Sequence, residues 1–258
     1  METYTVGIIG AGAWGTALGT ALARGGHKVQ LWAMEEDVVE SVNGSHENKR
    51  YLPGLSLYPT LTASTDIKEV AKDKQFLIMG SPSLYLASTI ARFTDVPNIA
   101  DGSTIIGALT KGFVPVGEEP HFVLETMESA LPASYKDATV YIAGPSHAEE
   151  VAMGKITGLI AASNHHRNAI QMRDLLRVPG ILAYAHAIRR CLGVFVLGNV
   201  SPRSAQHVSR CRRHIGTQRK LGNEVAKKIG TLIHFRRTRR PERARTIKAA
   251  YCQHSVQR

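Results

Sequence analysis

The chain has 258 residues, 43% of them hydrophobic, enough for one sizeable core or a core with a small second domain. Its net charge of +11 is unevenly spread: residues 1–180 carry 14 Lys+Arg against 19 Asp+Glu, and residues 181–258 carry 18 against 2. No apolar run reaches the length of a membrane span, the chain opens on a strand-like run rather than a secretory leader, and Cys191, Cys211 and Cys252 form neither a disulfide framework nor a metal-ligand spacing, so a cytoplasmic, metal-free protein is expected.

Up to residue 180, short apolar runs alternate with helical patterns. Strands are predicted at Thr5–Ile9, Lys28–Trp32, Gln75–Met79, Ser103–Ile106, Thr139–Ala143 and Thr157–Ala162. Most are apolar on both alternating faces, as strands covered on two sides must be. Helices are predicted at Trp14–Arg24, Leu84–Phe93 and Phe122–Leu131. This alternation defines an α/β fold, a Rossmann-type doubly wound parallel sheet.

The first strand runs into Gly10-x-Gly12-x-x-Gly15 and then into a helix. The three glycines serve different ends. Gly10 permits the tight turn, Gly12 leaves room for a pyrophosphate, and Gly15 lets the helix pack close to the strand. The helix N-terminus then offers free N–H donors and a partial positive charge to phosphate oxygens. A merely structural glycine turn is the competing reading. After the second strand come Ala33, Met34, Glu35, Glu36 and Asp37. A carboxylate at Glu35 suits the ribose hydroxyls of NAD and repels a 2′-phosphate, which favours NAD slightly over NADP. Alternatively, these acids simply open the next helix, where they suit its dipole.

Lys111 follows the strand-like run STIIGAL and so stands at a strand's carboxyl end, where open parallel sheets bind ligands. From there a lysine can reach a phosphate or carbonyl oxygen; a plain surface lysine is the alternative. Further on, Gly144 and Pro145 end a strand, and Ser146 with Glu149 fits a capping box opening the next helix. His147 lies beside them and is read as a bystander.

The stretch GAGAWGTALGTALARGGHKVQLW resembles the nucleotide loop and second strand of bacterial-type glycerol-3-phosphate dehydrogenases. Asn48 with YLPG at 51–54, LTKGF at 109–113 and GPSHAEEVAMG at 144–154 extend the likeness in order, from about Val6 to Tyr184. The resemblance implies the reversible, NAD- or NADP-dependent reduction of dihydroxyacetone phosphate to glycerol 3-phosphate, a glycerophospholipid precursor. It implies cofactor contacts at Gly10, Gly12, Ala13, Trp14, Gly15, Met34, Glu35, Lys111 and Ala148. It implies substrate contacts at Lys111, Gly144 and Ser146, with Lys111 catalytic. It also implies a homodimer.

The family continues with a second, proton-transferring lysine and a helical domain that anchors the substrate phosphate. Here the chain instead reads AIRRCLGVFVLGNVSPRSAQH after LAYAH, and no lysine directly follows GVFVLGN. From Ser201 onward only 10 of 58 residues are Leu, Ile, Val or Phe, against 16 Lys+Arg, a composition too polar to offset its ordering entropy. The chain is therefore expected to divide into a dinucleotide-binding domain at 1–186 and a basic, poorly ordered tail at 187–258, the latter replaced or read out of frame. Impaired turnover follows. Two alternatives are an inactive dinucleotide-binding remnant and an anion or nucleic-acid binder acting through the tail. Few aromatics and no nucleic-acid motif argue against the second.

Overall fold

A computed structural model describes residues 2–187 apart from Gly112, Gly117, Glu118 and Pro145. The expectations for the basic tail fall outside these residues. The strands are β1 (Thr5–Ile9), β2 (Lys28–Trp32), β3 (Glu47–Asn48), β4 (Leu52–Ser56), β5 (Thr62–Ser64), β6 (Phe76–Met79), β7 (Ile105–Ala108), β8 (Phe113–Val116), β9 (Glu119–Phe122), β10 (Val140–Ala143), β11 (Thr157–Ser163) and β12 (Ile181–Ala187). The helices are α1 (Ala13–Arg24), α2 (Glu36–Glu40), α3 (Ile67–Ala71), α4 (Leu86–Ile90), α5 (Pro97–Ala100), α6 (Val123–Ala130), α7 (Ala148–Ala152) and α8 (His166–Leu176).

One eight-stranded sheet carries the order β12-β11-β10-β7-β6-β1-β2-β5. The six strands from β5 to β10 are all parallel. Numbered among themselves they run 3-2-1-4-5-6, the doubly wound dinucleotide-binding order, with its reversal between β1 and β6. β11 then turns antiparallel to β10, and β12 runs parallel to β11. The sheet is thus mixed at one end, and β12 adds a strand beyond those predicted. The β3–β4 hairpin and the β8–β9 hairpin stand apart from it.

Burial explains the central strands. Val6, Ile8, Ile9, Leu77, Ile78, Met79 and Val140 are inaccessible to solvent, so both sheet faces are covered. Leu18 and Leu22 of α1 and Met172, Leu175 and Leu176 of α8 join the same core. Two predicted elements shift for local reasons. β7 begins at Ile105 because Ser103 and Thr104 belong to the preceding turn: the Ser103 amide donates to Asp101 Oδ1, and Thr104 Oγ1 donates to the Lys74 carbonyl. The helix expected at Leu84–Phe93 breaks into a 3-10 turn at Ser83–Tyr85 and the short α4.

Candidate active site

The three glycines of the loop divide the labour as their positions require. Gly10 leaves β1 at φ +121°, and a Cβ there would lie 2.8 Å from the Gly80 carbonyl carbon. Gly15 faces the Gly10 carbonyl oxygen, 2.0 Å from where its Cβ would stand, so only glycine lets α1 sit this close to the loop. Gly12 is different: a Cβ there meets nothing within 4 Å. Its emptiness is toward open space, in front of a twelve-residue helix that no side chain caps and whose first turn holds no acid. Unclaimed N–H donors, a favourable dipole and free approach fit a pyrophosphate.

The loop is held from two sides. The Gly10 amide donates to the Trp32 carbonyl at 3.1 Å, fixing the loop beside the end of β2. From the β3–β4 arm, the fully buried Asn48 donates through Nδ2 to the Ala11 carbonyl and to Thr16 Oγ1, both at 2.8 Å. Thr16 Oγ1 itself donates to the Ala11 carbonyl at 3.0 Å. Asn48 stands out in the sequence for its place before YLPG, but its role is not legible there, because a side chain that reaches back 37 residues leaves no local signal.

At the end of β2, Met34 is 72% exposed and Glu35 stands at the N-cap position of α2. Glu36 and Asp37 occupy the first turn of that helix, so part of the acidic run does open a helix. Glu35 does not cap it; its Oε1 accepts instead from Tyr51 Oη at 2.6 Å. Sequence reasoning does not reach that contact either.

Across the switch point, Thr110 is buried and donates to the Ser81 carbonyl at 2.7 Å, joining the chain after β6 to the chain after β7. Lys111 follows directly. Its ammonium lies 5.7 Å from the centroid of the Trp14 ring, so the structure brings together the lysine and the first turn of α1. Lys111 is exposed at the rim, and partial desolvation there lowers its pKa below the ordinary lysine value.

The 144–149 segment corrects one expectation. Ser146 and Glu149 form no capping box, because α7 begins only at Ala148, with His147 as N-cap and no side chain capping it. Ser146 Oγ turns back to donate to the Gly144 carbonyl at 3.2 Å. Gly144 has a packing reason of its own: a Cβ would stand 2.2 Å from the Gly158 carbonyl oxygen of β11. Ala148 is buried. Arg24 Nη2 donates to the Ala152 carbonyl at 2.7 Å, tying the end of α1 to the end of α7.

Six parallel strands in this order, a glycine loop open at one position and a lysine after β7 beside the first turn of α1 define a dinucleotide-binding domain of the oxidoreductase kind. Residues 5–169 match the family model of the NAD-dependent glycerol-3-phosphate dehydrogenase N-terminus. The chain belongs to that family. It is 45% identical over 186 residues to a glycerol-3-phosphate dehydrogenase [NAD(P)+] of Treponema denticola, a match covering 70% of this chain and 52% of the relative. A Bacillus velezensis enzyme of the same name is 34% identical, with 66% of this chain and 48% of the relative covered. The crystal structure of glycerol-3-phosphate dehydrogenase from Coxiella burnetii superposes with a TM-score of 0.62 at 31% identity, over 71% of this chain and 54% of that one. The chain spans about half the length of the curated relatives it matches. The expectation that the second lysine and the helical domain are missing concerns a stretch outside the described residues.

Proposed function

We propose that residues 1–186 bind NAD or NADP, with NAD slightly preferred, and supply the hydride-transfer half of the interconversion of dihydroxyacetone phosphate and glycerol 3-phosphate. The observation that carries this reading is the open approach at Gly12 to an uncapped helix N-terminus, with Lys111 beside Trp14 at the same edge. Gly10, Gly12, Ala13, Trp14 and Gly15 would hold the pyrophosphate, Met34 and Glu35 the adenosine ribose, and Lys111 and Ala148 the nicotinamide side. The bound nicotinamide supplies the hydride. Lys111 would polarise the ketone oxygen from a position where partial desolvation lowers its pKa. Gly144 and Ser146 would contact the substrate.

No counterpart of the family's second lysine or phosphate anchor is legible in the sequence from 187 to 258, so we expect weak turnover and a chain that acts mainly as a cofactor binder. The homodimer of the family and a cytoplasmic location belong to the same proposal; no helix among the described residues is long and apolar enough to cross a membrane. Titrating the 258-residue protein with NADH, read by quenching of tryptophan emission, tests the binding. Saturable binding lost in Gly12→Val supports the reading, and its persistence in that variant overturns it.

A further inference from the structure

The ribose corner holds more than the acids after β2. Gly10 donates to the carbonyl of Trp32, so the carboxyl end of β2 lies against the glycine loop and Glu35 stands three residues beyond it. The β3–β4 arm reaches the same corner from the other side. Its buried anchor is Asn48, bonded to the loop at Ala11 and Thr16, with its Oδ1 accepting from the Tyr51 amide at 3.1 Å. Tyr51 is thereby set, and its hydroxyl donates to Glu35 Oε1. Arg50, next to it, lies over the Tyr51 ring at 5.5 Å and pairs with Asp37 Oδ1 at 3.5 Å. One arm thus brings both a hydrogen-bond donor to the ribose-reading carboxylate and a guanidinium into a run that is otherwise Met-Glu-Glu-Asp.

We propose that the β3–β4 arm is a cofactor selector, in which Tyr51 holds Glu35 for the ribose hydroxyls of NAD while Arg50, released from Asp37, takes the 2′-phosphate of NADP. This rests on the dinucleotide reading of the site. A carboxylate held by one hydroxyl keeps its second oxygen, and the free lone pairs of the first, for a ribose diol. The Arg50–Asp37 pair is long and exposed, with more than half of each side chain open to solvent, so leaving it costs little. A phosphate offers the same guanidinium a stronger, bidentate partner. The raised pKa of Tyr51, caused first by its bond to Glu35, accords with a hydroxyl that stays a donor. Tyr51 is a positioning residue here, and Arg50 a direct ligand.

The test titrates the full chain and two variants with NADH and with NADPH. Both side chains are exposed, so neither change threatens the fold. Tyr51→Phe removes one hydrogen bond and should weaken NADH about three- to tenfold while NADPH stays within about twofold. Arg50→Gln should weaken NADPH at least about fivefold, with NADH unmoved and the difference shrinking in high salt. Variants that shift both cofactors equally, or neither, overturn the selector while leaving the dinucleotide site standing. A parent chain that binds neither cofactor overturns both.

Discussion

Alanine at Gly12 and alanine at Gly15 are the same substitution three residues apart, and their surroundings give them opposite consequences. At Gly15 the new methyl would stand 2.0 Å from the Gly10 carbonyl oxygen, a backbone atom that cannot swing aside. α1 must back off the loop, loosening Leu18 and Leu22, which are fully buried beneath it. Overpacking of this kind costs roughly 1–3 kcal/mol, offset by about 1 kcal/mol of helix propensity gained over glycine, so a net loss of up to about 2 kcal/mol is expected. For a domain of this size, a loss at the upper end of that range lowers the melting temperature by roughly 4–8 °C. At Gly12 the backbone is at φ −64°, open to any residue, and the methyl meets nothing. The cost is that of a poorer N-cap, about 0.5–1 kcal/mol. Yet that methyl fills the space a pyrophosphate needs, and NADH affinity should fall at least about tenfold through lost N–H contacts to phosphate. Thermal melts followed by circular dichroism and NADH titrations on both variants form the assay. A Gly12→Ala protein that binds NADH like the parent, or a Gly15→Ala protein that melts with it, refutes the division of roles.

Asn48→Ala leaves the Tyr51 amide without its acceptor and removes one of the two donors to the Ala11 carbonyl, and should cost about 1–3 kcal/mol by urea denaturation while weakening NADH and NADPH alike. His27 is 3% exposed, its Nδ1 accepts from the Tyr4 amide, and burial lowers its pKa, with a weaker opposing contact to the Leu175 backbone. A histidine kept neutral by folding contributes stability that is present above the ordinary histidine value and lost as pH falls below it toward the lowered folded value. The stability of the domain should therefore decline as pH falls below about 6.5, and His27→Gln should flatten that slope; an unchanged slope counts against the burial argument. The unmodified chain should reduce dihydroxyacetone phosphate at under about a hundredth of the rate of an intact relative, since a missing proton donor alone removes about 10²–10⁴-fold. Grafting a family helical domain after residue 186 should restore turnover in an NADH-oxidation assay, and Lys111→Met in that chimera should abolish it.

The parts of the fold legible in the sequence are those with a strong local period or a fixed spacing. β1 and β2 fall at their predicted bounds because each is a short apolar run closed by glycine or polar residues. The Gly10-Gly12-Gly15 spacing carries its geometry with it, and the apolar run before Lys111 places that lysine at a strand end. Other features are illegible for physical reasons. β5 is three residues long and gains its place by pairing with β2 and from the distant Asn43, whose side-chain amide bonds both the amide and the carbonyl of Ala63. β12 pairs with β11, and Leu182 and Tyr184 on one of its faces stay exposed, so its period-2 pattern is too mild to separate from the changed sequence that follows. The capping box fails because α7 opens only at Ala148, so Ser146 lies outside the N-cap position and its hydroxyl donates back to the Gly144 carbonyl.

The site's internal bonds bear on why binding and turnover should separate in this chain. The glycine loop is fixed to β2 through Gly10 and Trp32, and to the arm through Ala11 and Asn48; the two loops after β6 and β7 are fixed to each other through Thr110 and Ser81. All of these partners lie within the first 111 residues. A site held by so many internal bonds should lose little further entropy when a dinucleotide arrives, so this domain is expected to suffice for affinity. Hydride transfer asks for something else. The ketone must be oriented within a fraction of an ångström of the nicotinamide, and that orientation is drawn from binding energy at the substrate's phosphate. Lys111 can polarise one oxygen but cannot also anchor a phosphate at the far end of the substrate. We therefore expect a chain with this loop and this arm, and with Lys111 unaided by a counterpart of the family's second lysine, to hold the cofactor well and to use it poorly.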